Sequence, residues 1–548
     1  MKSITKLMIT TLLVGSSSCV FTSAVQAGSS GANTADAKIQ ALEAEIQNLS
    51  SQVEDLKRST KDEKDQSAEV QKQQAEIQKR QTSAVKVTID NGRPVIASAD
   101  GNFTFAVRAV LQTDWGYYMQ SAAATKLPTT YGPDFSSGTN LRRAEIGFQG
   151  KVFGDWSYYF LYEFGNPTTE APGHILNSYI QYDGLAPWGF RIGVYAPPSN
   201  LEDGTAGADL MFFERNSPSN MQRGIAGSEG RDAISILYMG DRLFGALSFT
   251  GGKVQDTAVF DEQQALVGRT SYLLYSDSDA HLLVGANGTY VIKLPDAVAN
   301  GSATLATVPG GTALATATLS DLPEFSVDSN GYKLANTGAL PANHISQWGL
   351  ETAGNYQNFY GQAGYYGFQV SRTPVAYTVF SAANTSGTTV VRPTSNNFSA
   401  WYLQSSWILT GESKAYVPAT GTFTTPKPAQ PFSLSKGDWG AWELAARYSD
   451  LNLNDLVSNT SNIVTGWTAT SKTYTYYNTV RGGDQRIITL GLNWYPNNAV
   501  RFLLDYQLIG VSRLQTPATV ATLGTPALPA VNGGQNLQTV ALRAQIAF

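Results

Sequence analysis

The sequence predicts an all-β chain: a transmembrane antiparallel β-barrel of about sixteen strands, preceded by an N-terminal helical coiled-coil segment. Three observations carry this. Only 15% of the 548 residues are charged, against about 25% in average soluble chains. Aromatic residues are plentiful, with 23 Phe, 10 Trp and 27 Tyr, which argues against a disordered chain. After the first 27 residues no apolar run approaches the roughly 18 residues that a helical span requires, whereas strict two-residue alternation recurs to the last residue.

Residues 1–27 read as a secretory signal. Lys2 and Lys6 form a basic start, residues 7–14 a short apolar core, and Val25-Gln26-Ala27 a small-residue cleavage site. The single Cys, Cys19, falls inside this segment and lacks the preceding Leu of a lipoprotein signal. Cleavage after Ala27 leaves no cysteine, so disulfides, thiolate metal sites and thiol chemistry are excluded. The net charge is −5, and −7 without Lys2 and Lys6, so an exported acidic chain of this kind is not expected to bind nucleic acid.

Residues 28–85 form the expected coiled-coil segment, placed in the periplasm. Between residues 39 and 84 there is no Gly, Pro or aromatic residue. Ile39, Leu42, Ile46, Leu49, Val53 and Leu56 follow the alternating steps of three and four that mark a coiled-coil seam. Thr60, Ser67, Gln74 and Gln81 weaken the later a positions. The reading is a self-associating stalk, with a lone amphipathic helix as the alternative.

Residues 86–548 form the expected barrel. Phe103, Phe105, Val107, Ala109, Leu111 and Trp115 share one face, and Thr104, Ala106, Arg108, Gln112 and Asp114 the other. An apolar face bounded by aromatics, opposite a polar one, is the pattern of a strand between lipid and a wet lumen. The same alternation runs through Ala144, Ile146 and Phe148 against Arg143, Glu145 and Gln149. It continues in Trp442, Leu444 and Ala446 against Glu443 and Arg447, and in Val540, Leu542 and Ile546 against Thr539, Arg543 and Gln545. Short turns near residues 154–155, 185–187, 240–241, 277–279 and 496–498 alternate with long Gly/Ser/Thr/Ala-rich stretches. Residues 411–440 are the exception, long but on the short-turn side by parity. The pattern does not fix strand boundaries between Ser276 and Ile345.

A barrel of this size encloses water, and diffusion through it is an activity that needs no catalytic site. The stretch 197–231 after the fifth strand is the expected constriction. Its Phe212 and Phe213 can pin it to the inner wall while Arg215, Arg223 and Arg231 project into water. Arg108, Arg143, Arg191, Arg447, Arg501 and Arg543 fall on inward faces. Arginine pairs two donors with two phosphate oxygens and keeps its charge. Nearby acids (Glu145, Asp114, Glu443, Asp505) can neutralise several of them, so composition leaves anion preference open.

No catalytic or metal constellation is legible. His174, His281 and His344 have no metal-ligand spacing, and no helical pattern follows the Gly224, Gly227, Gly230 series. No cofactor is expected, and no Gly-x-Ser-x-Gly elbow is present. The alternatives are a general porin of weak or different selectivity and a structural tether, with the stalk contacting the cell wall; an outer-membrane hydrolase is a remote third.

Three stretches carry a family resemblance: Asn140-Leu-Arg-Arg-Ala-Glu-Ile-Gly-Phe with its continuation to Tyr158; Phe212-Phe-Glu-Arg-Asn-Ser-Pro218; and residues 409–416 with 440–449. The chain resembles the phosphate-selective porin O/P family of Gram-negative outer membranes. The resemblance implies a homotrimer of sixteen-stranded barrels in outer-membrane lipid, carrying phosphate or other small anions along an arginine-lined passage. Arg143 and Arg215 match its motifs best, and Arg223 and Arg231 less closely. Tyr195-Ala-Pro-Pro198 departs from the Lys-Glu-Pro-like entry to the third loop.

Overall fold

A computed structural model describes residues 33–83, 85–90, 92–121, 133–165, 173–256, 261–295, 315–373, 375–380, 387–392, 395–457, 462–467, 471–476, 479–513, 520–522 and 534–548. The proposed signal segment lies outside the described residues. The chain divides into two units, Met1–Thr82 and Ser83–Phe548.

Among the described residues the first unit is the helix α1 (Asn33–Ser83). Its composition favours helix throughout, with no Gly or Pro to break it. The seam is uncovered: Ile39, Leu42, Ile46, Leu49, Val53 and Leu56 are all exposed. This helix is not apolar enough to cross a membrane.

The second unit is a closed antiparallel barrel of sixteen strands. In chain order these are β1 (Thr104–Met119), β2 (Gly138–Val152), β3 (Trp156–Glu163), β4 (His174–Leu185), β5 (Trp188–Tyr195), β6 (Arg231–Met239), β7 (Leu243–Lys253) and β8 (Gln264–Ser276). The second half comprises β9 (Ala280–Lys293), β10 (Leu340–Tyr356), β11 (Phe359–Arg372), β12 (Ser395–Ile408), β13 (Ala441–Asp455), β14 (Val480–Tyr495), β15 (Val500–Ser512) and β16 (Asn536–Ala547). Each strand pairs with its successor, and β16 closes on β1 through registers such as Arg543↔Asp114 and Leu542↔Trp115. Closure removes the free edges that a sheet could not leave unpaired in lipid. The hairpin Lys86–Asp90 and Arg93–Ala97 pairs with the start of β1 where β16 has ended.

The region left open between Ser276 and Ile345 resolves into β9, a long connection, and β10. Within that connection Ser320–Asp321 pairs with Ala335–Asn336. Beyond β11, Val375–Phe380 pairs with Gly387–Arg392, and Asn462–Trp467, Ser471–Tyr476 and Val520–Thr522 form a three-stranded sheet.

Alternation decides the two faces. Outward side chains such as Ile146, Trp348, Leu350, Leu403 and Leu490 are exposed. Each such side chain left in water forgoes about 1.5–3 kcal/mol of burial, so the belt they form requires lipid. Inward neighbours such as Arg447, Thr489 and Arg543 are buried. One irregularity matters. Between Gln112↔Arg143 and Thr113↔Leu141 the register slips, and Arg142 is the extra residue. A bulge re-aims side chains, so the consecutive Arg142 and Arg143 are both buried within the barrel.

Candidate pore lining

The inner wall is lined unevenly, because connections among the described residues fold against it, and three of them cover much of one side. The first is 196–230, between β5 and β6. Its helix α2 (Ser217–Ala226) starts where the Asn216 side chain accepts from Ser219 N at 2.8 Å, with Pro218 in the first turn where its missing N–H costs nothing. Met221, Ile225 and Ala226 of this helix pack with Val267, Tyr366 and Tyr402 of the wall. Leu201, Met211 and Phe212 pack with Leu273, Leu283 and Tyr360, and Phe213 with Ile487 and Leu503. This apolar packing ties the connection to the wall formed by β8–β15.

The second is 315–339. Glu324 accepts from Ser217 N at 2.7 Å and pairs with Arg447 at 2.5 Å, and Phe325 meets Phe213 and Tyr118. The third is 409–440, the long connection on the short-turn side. Lys414 pairs with Glu443 at 2.8 Å, and the carbonyls of Thr420 and Gly421 accept from Arg269 at 2.7 and 2.8 Å. Phe423 joins the cluster around Leu273 and Tyr360.

The opposite wall, β2–β5, keeps half-buried inward side chains: Ser157, Tyr159, Tyr179, Asp183 and Arg191. A cavity of about 470 Å³ is bounded by Arg142, Arg143, Glu145, Arg215, Arg223 and Glu229. A second, of about 220 Å³, lies beside Arg108, Asp209, Lys427 and Arg501 towards the β14–β15 turn.

Charge in this interior is mostly paired. Arg142 grips Glu214 through two bonds of 2.6 and 3.0 Å, and Arg543 grips Asp114 through two of 2.6 and 2.7 Å. Arg269 pairs with Glu351 at 2.6 Å. Burial alone pushes the Glu214 carboxyl up, but Arg142, Arg543 and Arg143 outweigh it and hold it well below the usual carboxylate range. Glu229 is likewise held well below that range, burial being outweighed by Arg223 and Arg215. Glu202 goes the other way: burial dominates over Arg447 and Arg215 and pushes it up to about 7. Asp321 is also pushed up to about 7 by burial, against bonds from Asn220 and Ser217.

The six arginines singled out from the sequence fall into three settings. Arg143 donates to Gln112 at 2.6 Å and pairs with Glu145 at 3.3 Å. Arg215, Arg223 and Arg231 do not project freely into water. Arg215 donates to the carbonyls of Glu202 and Thr205, Arg223 bonds Asp203 and Glu229, and Arg231 donates to the carbonyls of Gly227 and Gly251. The cause is the apolar packing of the connection, which buries its polar groups and forces each guanidinium to find acceptors. Among the described residues, Arg108 and Arg191 are the two of the six that lie against aromatic rings, Arg108 over Tyr159 and Arg191 over Tyr179.

Sequence reasoning missed Arg142, Arg269, Glu351, Lys414 and the anchoring role of Glu324. Arg269 and Glu351 sit at inward positions of alternating strands, so the two-residue period carried the signal. Arg142 is invisible to that period because a bulge breaks it, and Lys414 belongs to a connection with no period at all.

A closed sixteen-stranded barrel with an apolar exterior and a charged, bonded interior defines an outer-membrane porin. The chain belongs to the phosphate-selective porin O and P family, whose model matches residues 124–526. Comparison with curated proteins gives no match. Among solved structures, it is similar to in-vitro folded OmpT, an outer membrane protein of Vibrio cholerae (12% identity, 82% of this chain and 98% of that one, TM-score 0.41). It is also similar to an anion-selective porin from Comamonas acidovorans (11% identity, 81% and 100%, TM-score 0.42). A third is the outer membrane channel DcaP of Acinetobacter baumannii (10% identity, 82% and 98%, TM-score 0.38). Among the described residues no group of His, Cys, Asp or Glu could hold a metal ion.

Proposed function

We propose that this porin is a passive diffusion pore for small anions, phosphate and polyphosphate among them, without strict phosphate selectivity. The connection 196–230 acts as its constriction, and the less covered wall β2–β5 borders the passage. One contrast supports the sign of the preference. The acids of that wall are engaged by donors: Glu145 Oε1 by Arg143, Glu163 Oε1 by the amides of Ala144 and Gly165, and both oxygens of Asp183 by Ser157 and Gln181. Arg108 and Arg191 face the same side and make no ion pair among the described residues. Satisfied carboxylates offer little to a passing cation, while spare guanidinium donors attract anions. Weak selectivity follows from the pairing of Arg142, Arg215 and Arg223, where phosphate competes with carboxylates and carbonyls already in place.

The uncovered seam of α1 supports a homotrimer held in the periplasm by a coiled coil, with cell-wall contact through that stalk as a further role. The barrel sits in outer-membrane lipid. Purified protein in a planar bilayer under a chloride gradient tests the pore reading: an anion-selective reversal potential is expected, and a cation-selective one overturns it.

A further inference from the structure

The inward arginines divide by what they hold. Those at 142, 143, 215, 223, 269, 447 and 543 are ion-paired, and Arg215 also donates to backbone carbonyls, as do Arg231 and Arg501. Arg108 and Arg191 stand apart. Arg191 spends its Nε on Gln181 at 2.7 Å, and among the described residues its two terminal nitrogens make no hydrogen bond. Among the described residues Arg108 makes none, and its Nε is buried without a partner.

Both lie in one strip of tyrosines on the wall β1–β5. The Arg191 guanidinium is 4.3 Å from the Tyr179 ring centre and 5.1 Å from that of Tyr195. Arg108 is 5.9 Å from the Tyr159 ring centre. The rings continue from one to the next, Tyr159 to Tyr179 at 5.7 Å and Tyr179 to Tyr195 at 5.5 Å, edge to face. Tyr179 pairs across the sheet with Gly193, where an added Cβ would lie 2.3 Å from the Ser178 carbonyl oxygen and 2.8 Å from Tyr179 Cα, so the two strands approach closely there. Tyr195 is covered, whereas Tyr159 and Tyr179 stay half-buried.

We propose that this strip is a binding site for carboxylates borne on a flat aromatic ring. The carboxylate takes the free donors of Arg191 or Arg108, and the ring rests on Tyr179 or Tyr159. The proposal depends on the anion-pore reading above and names its preferred solute class. A compact anion uses only the donors. A flat ring adds a ring-to-ring contact that tightens binding by about two- to ten-fold.

The test uses the full-length protein in a planar bilayer, reading block of chloride current by benzoate, cyclohexanecarboxylate and inorganic phosphate. Benzoate and cyclohexanecarboxylate share charge and bulk and differ in the flat ring. Benzoate is expected to block at concentrations about two- to ten-fold lower than cyclohexanecarboxylate. Tyr179→Leu and Tyr159→Leu together erase that difference, and Tyr179→Phe with Tyr159→Phe keeps it. Equal block by the two acids in the unmodified protein, which needs no variant, overturns the proposal. So does a difference that survives in the leucine variant. The reversal potential separates the two readings: an anion-selective pore without a benzoate advantage loses only the strip, and a cation-selective pore loses the reading beneath it.

Discussion

Arg142 and Glu214 meet in two parallel hydrogen bonds, Nε to Oε1 at 2.6 Å and Nη2 to Oε2 at 3.0 Å, across 72 residues of chain. The pair joins the bulge of β2 to the connection 196–230, so an irregularity in one strand holds the loop in the barrel. Removing one partner leaves a buried charge, at a cost of about 3–5 kcal/mol. Arg142→Ala is therefore expected to loosen the connection and raise both single-channel conductance and open-channel noise. Glu214→Gln, which keeps a hydrogen-bond acceptor, should do so less. Single-channel recording checks this, and unaltered conductance in Arg142→Ala removes the pair from its anchoring role.

The raised carboxyls of Glu202 and Asp321 give a pH dependence of definite sign. Glu202 moves from 4.5 to about 7, and Asp321 from 3.8 to about 7, so the folded state binds protons more tightly than the unfolded chain. Their stabilising contribution is full below their ordinary values and is lost as pH rises through about 7. Open-channel noise and the rate of spontaneous closure are expected to increase between pH 5 and pH 8. Glu202→Gln with Asp321→Asn should flatten that profile, and an equally steep profile in the double variant assigns it elsewhere.

The outward row makes a direct prediction about lipid. Leu403, exposed in the middle of β12, should tolerate Ile but lose about 2–4 kcal/mol as Leu403→Arg, because a charge there faces hydrocarbon. Urea unfolding from lipid vesicles measures the difference. Equal stability of the two variants would mean that this face does not contact acyl chains.

Self-association through α1 is testable without touching the barrel. Leu42→Ser, Leu49→Ser and Leu56→Ser together remove the strongest seam positions while leaving the surface charge as it is. Chemical cross-linking is expected to yield fewer trimers, with conductance per barrel unchanged. Trimer yield equal to that of the unmodified protein shifts the self-association to the barrel wall.

Two-residue alternation separates what is legible in the sequence from what is not. Phe105, Phe148 and Leu504 could be assigned outward and Glu443, Arg447 and Arg543 inward because each assignment needs only the neighbours two residues away. The sixteen strands followed by counting such runs. Residues 411–440 stood out as anomalous in length, yet nothing local told that Lys414 would reach Glu443 or that Phe423 would pack beside Tyr360. Arg142 was hidden for the opposite reason: regular alternation points it to lipid, and only the bulge turns it inward.

The two-residue period by itself determined a barrel with a fatty outside and a wet inside, since the direction of a strand side chain is a property of the backbone at that residue. The ownership of each guanidinium was decided only in three dimensions. Whether an arginine is spent on a carboxylate or left for a solute depends on acceptors brought beside it by chain closure and by loops folded over the wall, and those partners lie tens to hundreds of residues away.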